Sequence, residues 1–256
     1  MEKMSVKEIK RIADTLPKEK MPELIGLLVG DRRSSVKKIA LSLSKKLEAF
    51  LREEERLKEM FAFEESFMRQ GAGRIGGVDE AGRGPLAGPV CAACVVFRKN
   101  PMIEGINDSK KLSEKRREEL FEQIVDGADA YGIGTADAAE IDESNILEAT
   151  MLAMRRAVEA CGEKPDFLLV DGNQMIRKLS LPQKTVVGGD ARSLSIAAAS
   201  ILAKVSRDRL MGEFARLYPQ YGFEKHKGYG TQEHREALQR YGPSPIHRRS
   251  FLTNIL

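Results

Sequence analysis

From Gly73 onward short apolar runs alternate with amphipathic stretches, and the distances between the runs dictate what sheet they can form. "RIGGVDE" and "PVCAACVVF" are separated only by a turn rich in glycine and proline. That gap is too short for a helical crossover, so these strands are expected to be antiparallel. "YGIGTAD" is a third strand, "FLLVDG" a fully apolar fourth and "KTVVGGD" a fifth. Helical stretches fall between and after them, at Ser113 to Val125, Asn145 to Cys161, Leu194 to Leu217 and Gln232 to Tyr241. A helix between the later strands lets those run parallel. The expected class is α/β, a mixed sheet with helices packed on it.

The chain before Gly73 has a different texture. Ser5 and Glu8 form a capping-box pattern, Pro17 and Pro22 punctuate the next segment, and a long periodic run opens at Ser34 or Ser35. Apolar Val36, Ala40, Leu43, Leu47, Phe50, Leu57 and Phe61 recur along it at helical spacing. "RQGAGRIGG" breaks the pattern, which places the expected boundary between a helical extension, residues 1–70, and a second domain, residues 71–256. Residues 1–46 hold 12 Lys and Arg against 6 Asp and Glu, a local excess of +6. The whole chain of 256 residues carries a net charge of +4, which permits a nucleic-acid partner without requiring one. No run approaches the ~20 apolar residues of a membrane span. The amino terminus has no signal-peptide core, and three cysteines are an odd number for a disulfide framework. The expectation is a cytoplasmic protein, and nothing demands more than a monomer.

Four acids stand out. Asp79 and Glu80 end the first strand, Asp171 ends "FLLVD", and Asp190 follows "TVVGG", each with glycine nearby. One acid past a strand is commonplace as a helix cap or turn former. Several on the ends of one sheet are harder to explain as surface charge. Clustered carboxylates repel unless a cation sits among them, and an all-oxygen set suits Mg²⁺ or Mn²⁺. Two such ions activate water and stabilise a leaving oxygen in phosphodiester displacement, so a metal-dependent nuclease is the candidate and a calcium-stabilised fold the bland competitor. Neighbouring residues on a regular strand face opposite sides, so a bulge or strand end at Glu80, helped by Gly82, is expected to bring Asp79 and Glu80 together.

Other patterns divide into those set aside and those kept. "GAGRIG" matches a dinucleotide fingerprint but has helix before and strand after, the wrong order. Cys91 and Cys94 are three apart on a strand and point opposite ways, which suits core residues. His226, His234 and His247 lack close metal-binding spacing. Arg83, between Gly82 and Gly84, sits where glycines let backbone amides approach an anion, although a plain hairpin loop is an even match. Ser109 and Lys110, in "NDSKKLSEK", could hold a phosphate ahead of a helix. Tyr229, between two glycines in "HKGYGT", could stack on a sugar or base. His247, Arg248 and Arg249 offer further phosphate contacts or a basic surface.

Together "GVDEAGRGPLAGPV", "NDSKKLSEKRREEL", "FLLVDG", "GGDARSLSIAAASILAKVSRD" and "HKGYGT" closely resemble bacterial type 2 ribonuclease H, ribonuclease HII, across residues 73 to 256. The resemblance implies a ribonuclease H fold, a mixed five-stranded sheet with its first three strands antiparallel, flanked by helices. It implies endonucleolytic cleavage of RNA paired with DNA and of single ribonucleotides in duplex DNA, 5′ to the ribonucleotide, leaving a 3′-hydroxyl and a 5′-phosphate. It makes Asp79, Glu80, Asp171 and Asp190 the metal-binding catalytic acids. Gly82, Arg83 and Gly84 become a junction-sensing loop, and Tyr229 the ring that stacks on the sugar after the junction. The related type 3 enzymes lack Gly-Arg-Gly after the acid pair. The rivals are another polynucleotidyl transferase on this fold and a non-catalytic nucleic-acid binder. The helical extension is expected to grip duplex backbone, or else to be a solvated surface or a docking site.

Overall fold

The computed structural model describes residues 4–253, and the chain divides into two compact units, Met1–Lys58 and Glu59–Leu256. The first holds α1 (Val6–Thr15), α2 (Met21–Val29) and most of α3 (Ser34–Met60). The Ser5–Glu8 capping box forms as expected, with the Glu8 amide donating to Ser5 Oγ and the Ser5 amide donating to Glu8 Oε2. The three helices enclose Ile9, Met21, Leu28, Val36 and Leu43.

The second unit begins with α4 (Ala62–Met68) and is built on a sheet of β1 (Ile75–Ala81), β2 (Val90–Val96), β3 (Ala130–Ala136), β4 (Phe167–Asp171) and β5 (Gln183–Val186). Strand order is β3-β2-β1-β4-β5. β2 runs antiparallel to both β1 and β3, and β4 and β5 run parallel to β1, as crossover lengths require. α5 (Glu114–Gly127), α6 (Ala138–Glu143) and α7 (Ile146–Glu159) fall among the strands, followed by α8 (Leu194–Leu217), α9 (Phe223–His226) and α10 (Gln232–Tyr241). α7 covers one face, with Val78, Cys94, Ala153 and Leu168 in one cluster. α8 covers the other. Its approach to β1 is close enough that a Cβ on Gly77 would stand 2.2 Å from the Ser195 carbonyl carbon, so only glycine fits there. Cys91 and Cys94 are fully buried and unoxidised, as core residues should be. Among the described residues no helix is long and apolar enough to cross a membrane.

The two compact units divide at Lys58/Glu59, one helix before the break in the sequence pattern at residue 70. The reason is α4, which ends near the glycines but packs with the sheet. Phe67 stacks on Phe167 with ring centroids 4.2 Å apart, and Glu64 reaches Ser193 and Ser195 at the start of α8. A break in helical periodicity marks the end of a helix, and here the unit begins one helix earlier.

Candidate active site

Asp79 and Asp171 stand at the carboxyl-terminal ends of β1 and β4, and Asp190 in the turn Gly189–Ala191 after β5. Ends of adjacent parallel strands are where α/β sheets leave a crevice. Asp79 is 4 % exposed, and burial, then the charges of Glu80 and Asp171, raise its pKa well above the usual carboxylate range. The Glu80 amide, donating to Asp79 Oδ1 at 2.7 Å, and the Ser200 hydroxyl work against that rise. Asp190 is raised as well, by burial and then by Asp108 and Asp171, while Lys110, with Nζ 3.8 Å from Asp190 Oδ2, lowers it. Asp171 Oδ1 accepts the Gly189 amide at 2.7 Å, which ties it to the turn that carries Asp190.

Among the described residues no three acids, histidines or cysteines stand close enough, as placed, to enclose an ion. The chemistry of the set nevertheless fits a hard divalent cation. The donors are all oxygens, two carboxylates are held by main-chain amides, and two are destabilised in charged form by their neighbours.

Neither the bulge nor the strand end expected at Glu80 forms. β1 stays in register with β2, pairing Glu80 with Ala92 and Ala81 with Cys91, and the turn comes only at Gly82, φ +92°. Unbroken pairing preserves the pleat, so Asp79 faces α8 and Glu80 faces α7, near Leu147 and Met151. Because Glu80 is next to the strand's end, its side chain still borders the cavities on both sides. Arg83 accompanies it, with Nη1 3.2 Å from Glu80 Oε1.

On the α8 side a cavity of about 290 Å³ gathers most of the expected substrate residues: Gly82, Arg83, Gly84, Ser109, Lys110 and Tyr229, together with Glu80. Ser109 is buried and its hydroxyl is engaged with Ser200 Oγ at 2.8 Å, whereas the Lys110 side chain is exposed, with Nζ 3.8 Å from Asp190 Oδ2. On the α7 side Glu80, Arg83, Asp171 and Gly172 line a smaller cavity.

His247 and Arg248 do not join them. Their expected role as phosphate contacts is overturned, because they are 2 % and 0 % exposed. The segment enters the core through a bridge between Ala87 and His247 and the hydrogen bond from the Arg248 amide to the Leu86 carbonyl. Arg248 instead donates to the carbonyls of Gly82, Arg83 and Gly88 at 2.6–2.9 Å. Burial brings its pKa down to about 9. A second buried guanidinium, Arg207 on α8, donates to the carbonyls of Ala87, Pro89 and Lys227. A Cβ on Gly82 would fall 2.0 Å from Arg207 Nε, so the Gly-Arg-Gly loop is moulded onto this side chain. Planar five-donor forks suit such a task, since one side chain fixes several carbonyls at once.

Ser200, Lys204 and Arg207 also line the α8-side cavity and are absent from the residues singled out above. Their i, i+4, i+7 spacing on one helix face was the available signal. Lys204 is held by Asp208 Oδ1 at 2.7 Å. Glu64 was missed too, and nothing local in the sequence announces a partner 129 residues away.

A family model described as Ribonuclease HII matches residues 76–254, and one described as Ribonuclease HII N-terminal domain matches residues 5–68. A protein named Ribonuclease HII from Clostridioides difficile (strain 630) is 55% identical over 256 residues, covering 100% of both chains. Another of that name, from Desulfitobacterium hafniense (strain DSM 10664 / DCB-2), is 50% identical over 249 residues, 97% of this chain and 94% of the relative. The solved ribonuclease H2 from Pyrococcus horikoshii OT3 superposes with a TM-score of 0.60 at 30% identity, over 69% of this chain and 93% of that one. The family models that match in both units, the full-length relatives and the shared sheet agree: the chain belongs to the ribonuclease HII family and is an endonucleolytic hydrolase of the ribonuclease H type.

Proposed function

We propose that this enzyme, acting as a cytoplasmic monomer, cleaves RNA–DNA hybrids and single ribonucleotides embedded in duplex DNA. The cut falls 5′ to the ribonucleotide and leaves a 3′-hydroxyl and a 5′-phosphate. The observation that carries the reading is the position of the Gly82–Gly84 loop, rigidly held and lying between the acidic strand ends and Tyr229. Arg248 draws the carbonyls of Gly82 and Arg83 inward while Arg207 packs against Gly82, and glycine on either side of Arg83 leaves the main chain open to close approach by a ribose. The 2′-hydroxyl is what tells RNA from DNA at such a contact. Tyr229, about half-exposed beside Gly84, is placed to stack on the sugar beyond the junction. Lys110 and Lys204 extend into the same cavity and serve as phosphate contacts.

Asp79, Glu80, Asp171 and Asp190 would hold Mg²⁺ or Mn²⁺ ions, which when bound supply water activation and stabilisation of the leaving oxygen. The acids' own part is to be aimed from the strand ends, with Asp171 and Asp79 steadied by amides. In the first unit Lys10, Lys38 and Lys46 line one cavity, and the unit's basic excess supports its reading as a grip on duplex backbone.

The test is a DNA duplex containing one ribonucleotide, incubated with Mg²⁺, Mn²⁺ or chelator beside an all-DNA control. Cleavage confined to the ribonucleotide and dependent on metal is the expected result. Strand-transfer products, or cutting of the all-DNA duplex, would end this reading.

A further inference from the structure

All three histidines of the chain lie in one buried cluster behind Tyr229. The geometry at the cluster's two ends leaves a single protonation pattern. At one end the Ser244 amide donates to His247 Nδ1 at 2.9 Å. That nitrogen therefore presents a lone pair, and neutral His247 carries its proton on Nε2. At the other end the Tyr229 carbonyl, which can only accept, lies 2.9 Å from His234 Nδ1. His234 must carry a proton there. Between them the two Nε2 atoms stand 3.0 Å apart, room for one proton, and it belongs to His247. His226 is settled independently, accepting the Gly228 amide at Nδ1 and donating from Nε2 to the Tyr221 carbonyl. Burial favours the neutral forms, lowering the pKa of His234 and bringing that of His247 to about 4.

A directional chain thus runs from the Ser244 amide through His247 and His234 to the carbonyl of Tyr229. We infer that this imidazole chain is a positioning device for the substrate groove, fixing the Tyr229 backbone and so the angle at which its ring meets the nucleic acid. Neutral imidazole suits the task because it is donor at one end and acceptor at the other, on a rigid ring. The loop it steadies is in need of support, since Lys227 and Gly228 adopt φ of 50° and 86°, both left-handed. His234 also ties the loop to α10, because its amide donates to Thr231 Oγ, the cap of that helix. Preorganising a stacking ring in this way removes ordering cost at the moment of binding. The inference rests on the reading of Tyr229 as a substrate contact.

Two measurements on the full chain test it. An imidazole ¹⁵N–¹H correlation spectrum at pH 7 should show His234 protonated at Nδ1, and His226 and His247 at Nε2. A cationic ring, or His234 or His247 in the opposite tautomer, overturns the chain. Steady-state cleavage of a DNA duplex with one ribonucleotide, with divalent ion present, then tests its role. Tyr229→Ala should raise KM about tenfold, the scale of one lost stacking contact. His234→Leu, shown by its melting curve to be folded, should raise KM by a similar factor with kcat nearly unchanged. His234→Asn, which keeps a donor near the Nδ1 position, should restore most of the affinity. In a Tyr229→Ala background His234→Leu should add under about twofold, because the two act through one contact. A further full tenfold there would overturn the positioning role. An unchanged KM for Tyr229→Ala would instead remove the reading of Tyr229 on which that role depends, leaving the tautomer pattern standing.

Discussion

Glu64 ties α4 to α8, the helix that lines the larger cavity, and removing its side chain should damage the second unit well beyond an ordinary surface change. The carboxylate is fully buried, and its Oε1 accepts both the Ser193 hydroxyl at 2.7 Å and the Ser195 amide at 2.9 Å. The Ser195 amide is one of the orphan donors at the amino-terminal end of α8. Glu64→Ala leaves that amide and the hydroxyl buried without their acceptor, a penalty of roughly 1–3 kcal/mol for the amide and less for the rotatable hydroxyl. The total is about 2–4 kcal/mol, a fall in melting temperature of roughly 5–15 °C for a unit of this size. Glu64→Gln keeps an acceptor oxygen in place, and burial already raises the pKa of Glu64 toward the neutral form, so its cost should stay below about 1 kcal/mol. Activity should follow stability through the Asp190 turn, because the Ser193 amide donates to the Gly189 carbonyl at 2.8 Å. The assay is thermal denaturation of the full chain in chelator, paired with cleavage rates. A Glu64→Ala protein melting within about 2 °C of wild type would refute the reasoning, as would a Glu64→Gln protein as damaged as the alanine variant. The same contact decides how the duplex-grip role of the first unit should be tested. Removing residues 1–58 spares Glu64, while removing 1–70 deletes it together with Phe67. The longer deletion should therefore lose stability that the shorter one keeps, and only the shorter isolates affinity and its salt dependence.

Three further outcomes are expected. Asp79→Asn should abolish cleavage yet raise the melting temperature in chelator by the equivalent of about 1–2 kcal/mol, because the raised pKa of Asp79 means its charged form costs stability as pH rises through that value; a lowered melting temperature would contradict this. Gly82→Ala should cost more than about 2 kcal/mol and most activity, since φ is +92° and the new Cβ would strike Arg207; a folded, active variant in urea titration and cleavage assays would show that the loop is not held as described. The neutral His247 imidazole contributes stability above its unfolded pKa of about 6.5 that is lost as pH falls through about 4, amounting to roughly 3 kcal/mol. Its ¹⁵N resonances should accordingly stay untitrated down to pH 5, and a midpoint near 6.5 would exclude the buried neutral state.

Local signals reached the elements they govern. α8 and α10 occupy the expected residues because Ser193 and Thr231 cap them and the chain turns at Pro219 and Gly242 afterwards. Asp79, Asp171 and Asp190 were legible because each follows an apolar run that can only be a strand. The failures concern what those elements touch. "SPIHRRSF" reads as a basic surface, yet its bridge to Ala87 draws His247 and Arg248 into the core. Their charges and rings serve the glycine loop and Tyr229 from behind. Glu80 was expected at a bulge or a strand end; the strand instead runs unbroken to Ala81, and being one residue from its end gives the side chain the reach that a bulge would have supplied. Glu64 sits in an exposed-looking helical repeat, and only the tertiary fold shows that it faces α8.

The interior holds buried charge of both signs, and the separation of the two is informative. Asp79 and Asp190 are buried acids whose charged forms are disfavoured. Arg207 and Arg248 are buried cations whose charged forms are disfavoured too. Pairing them would relieve both, as buried ions commonly do. The chain instead directs the arginines to loop carbonyls, and holds Asp79 and Asp171 with main-chain amides. Each sign is thereby committed to a different partner. In the proposed reading the arginines shape the loop that would meet the ribose, and the acids' lone pairs would be left for a cation that arrives from solvent. Stability forgone by not pairing the buried acids with the buried arginines is the expected mark of a functional site. It also explains the glycine at position 82, since only backbone without a side chain lets the Arg207 guanidinium lie beneath the loop.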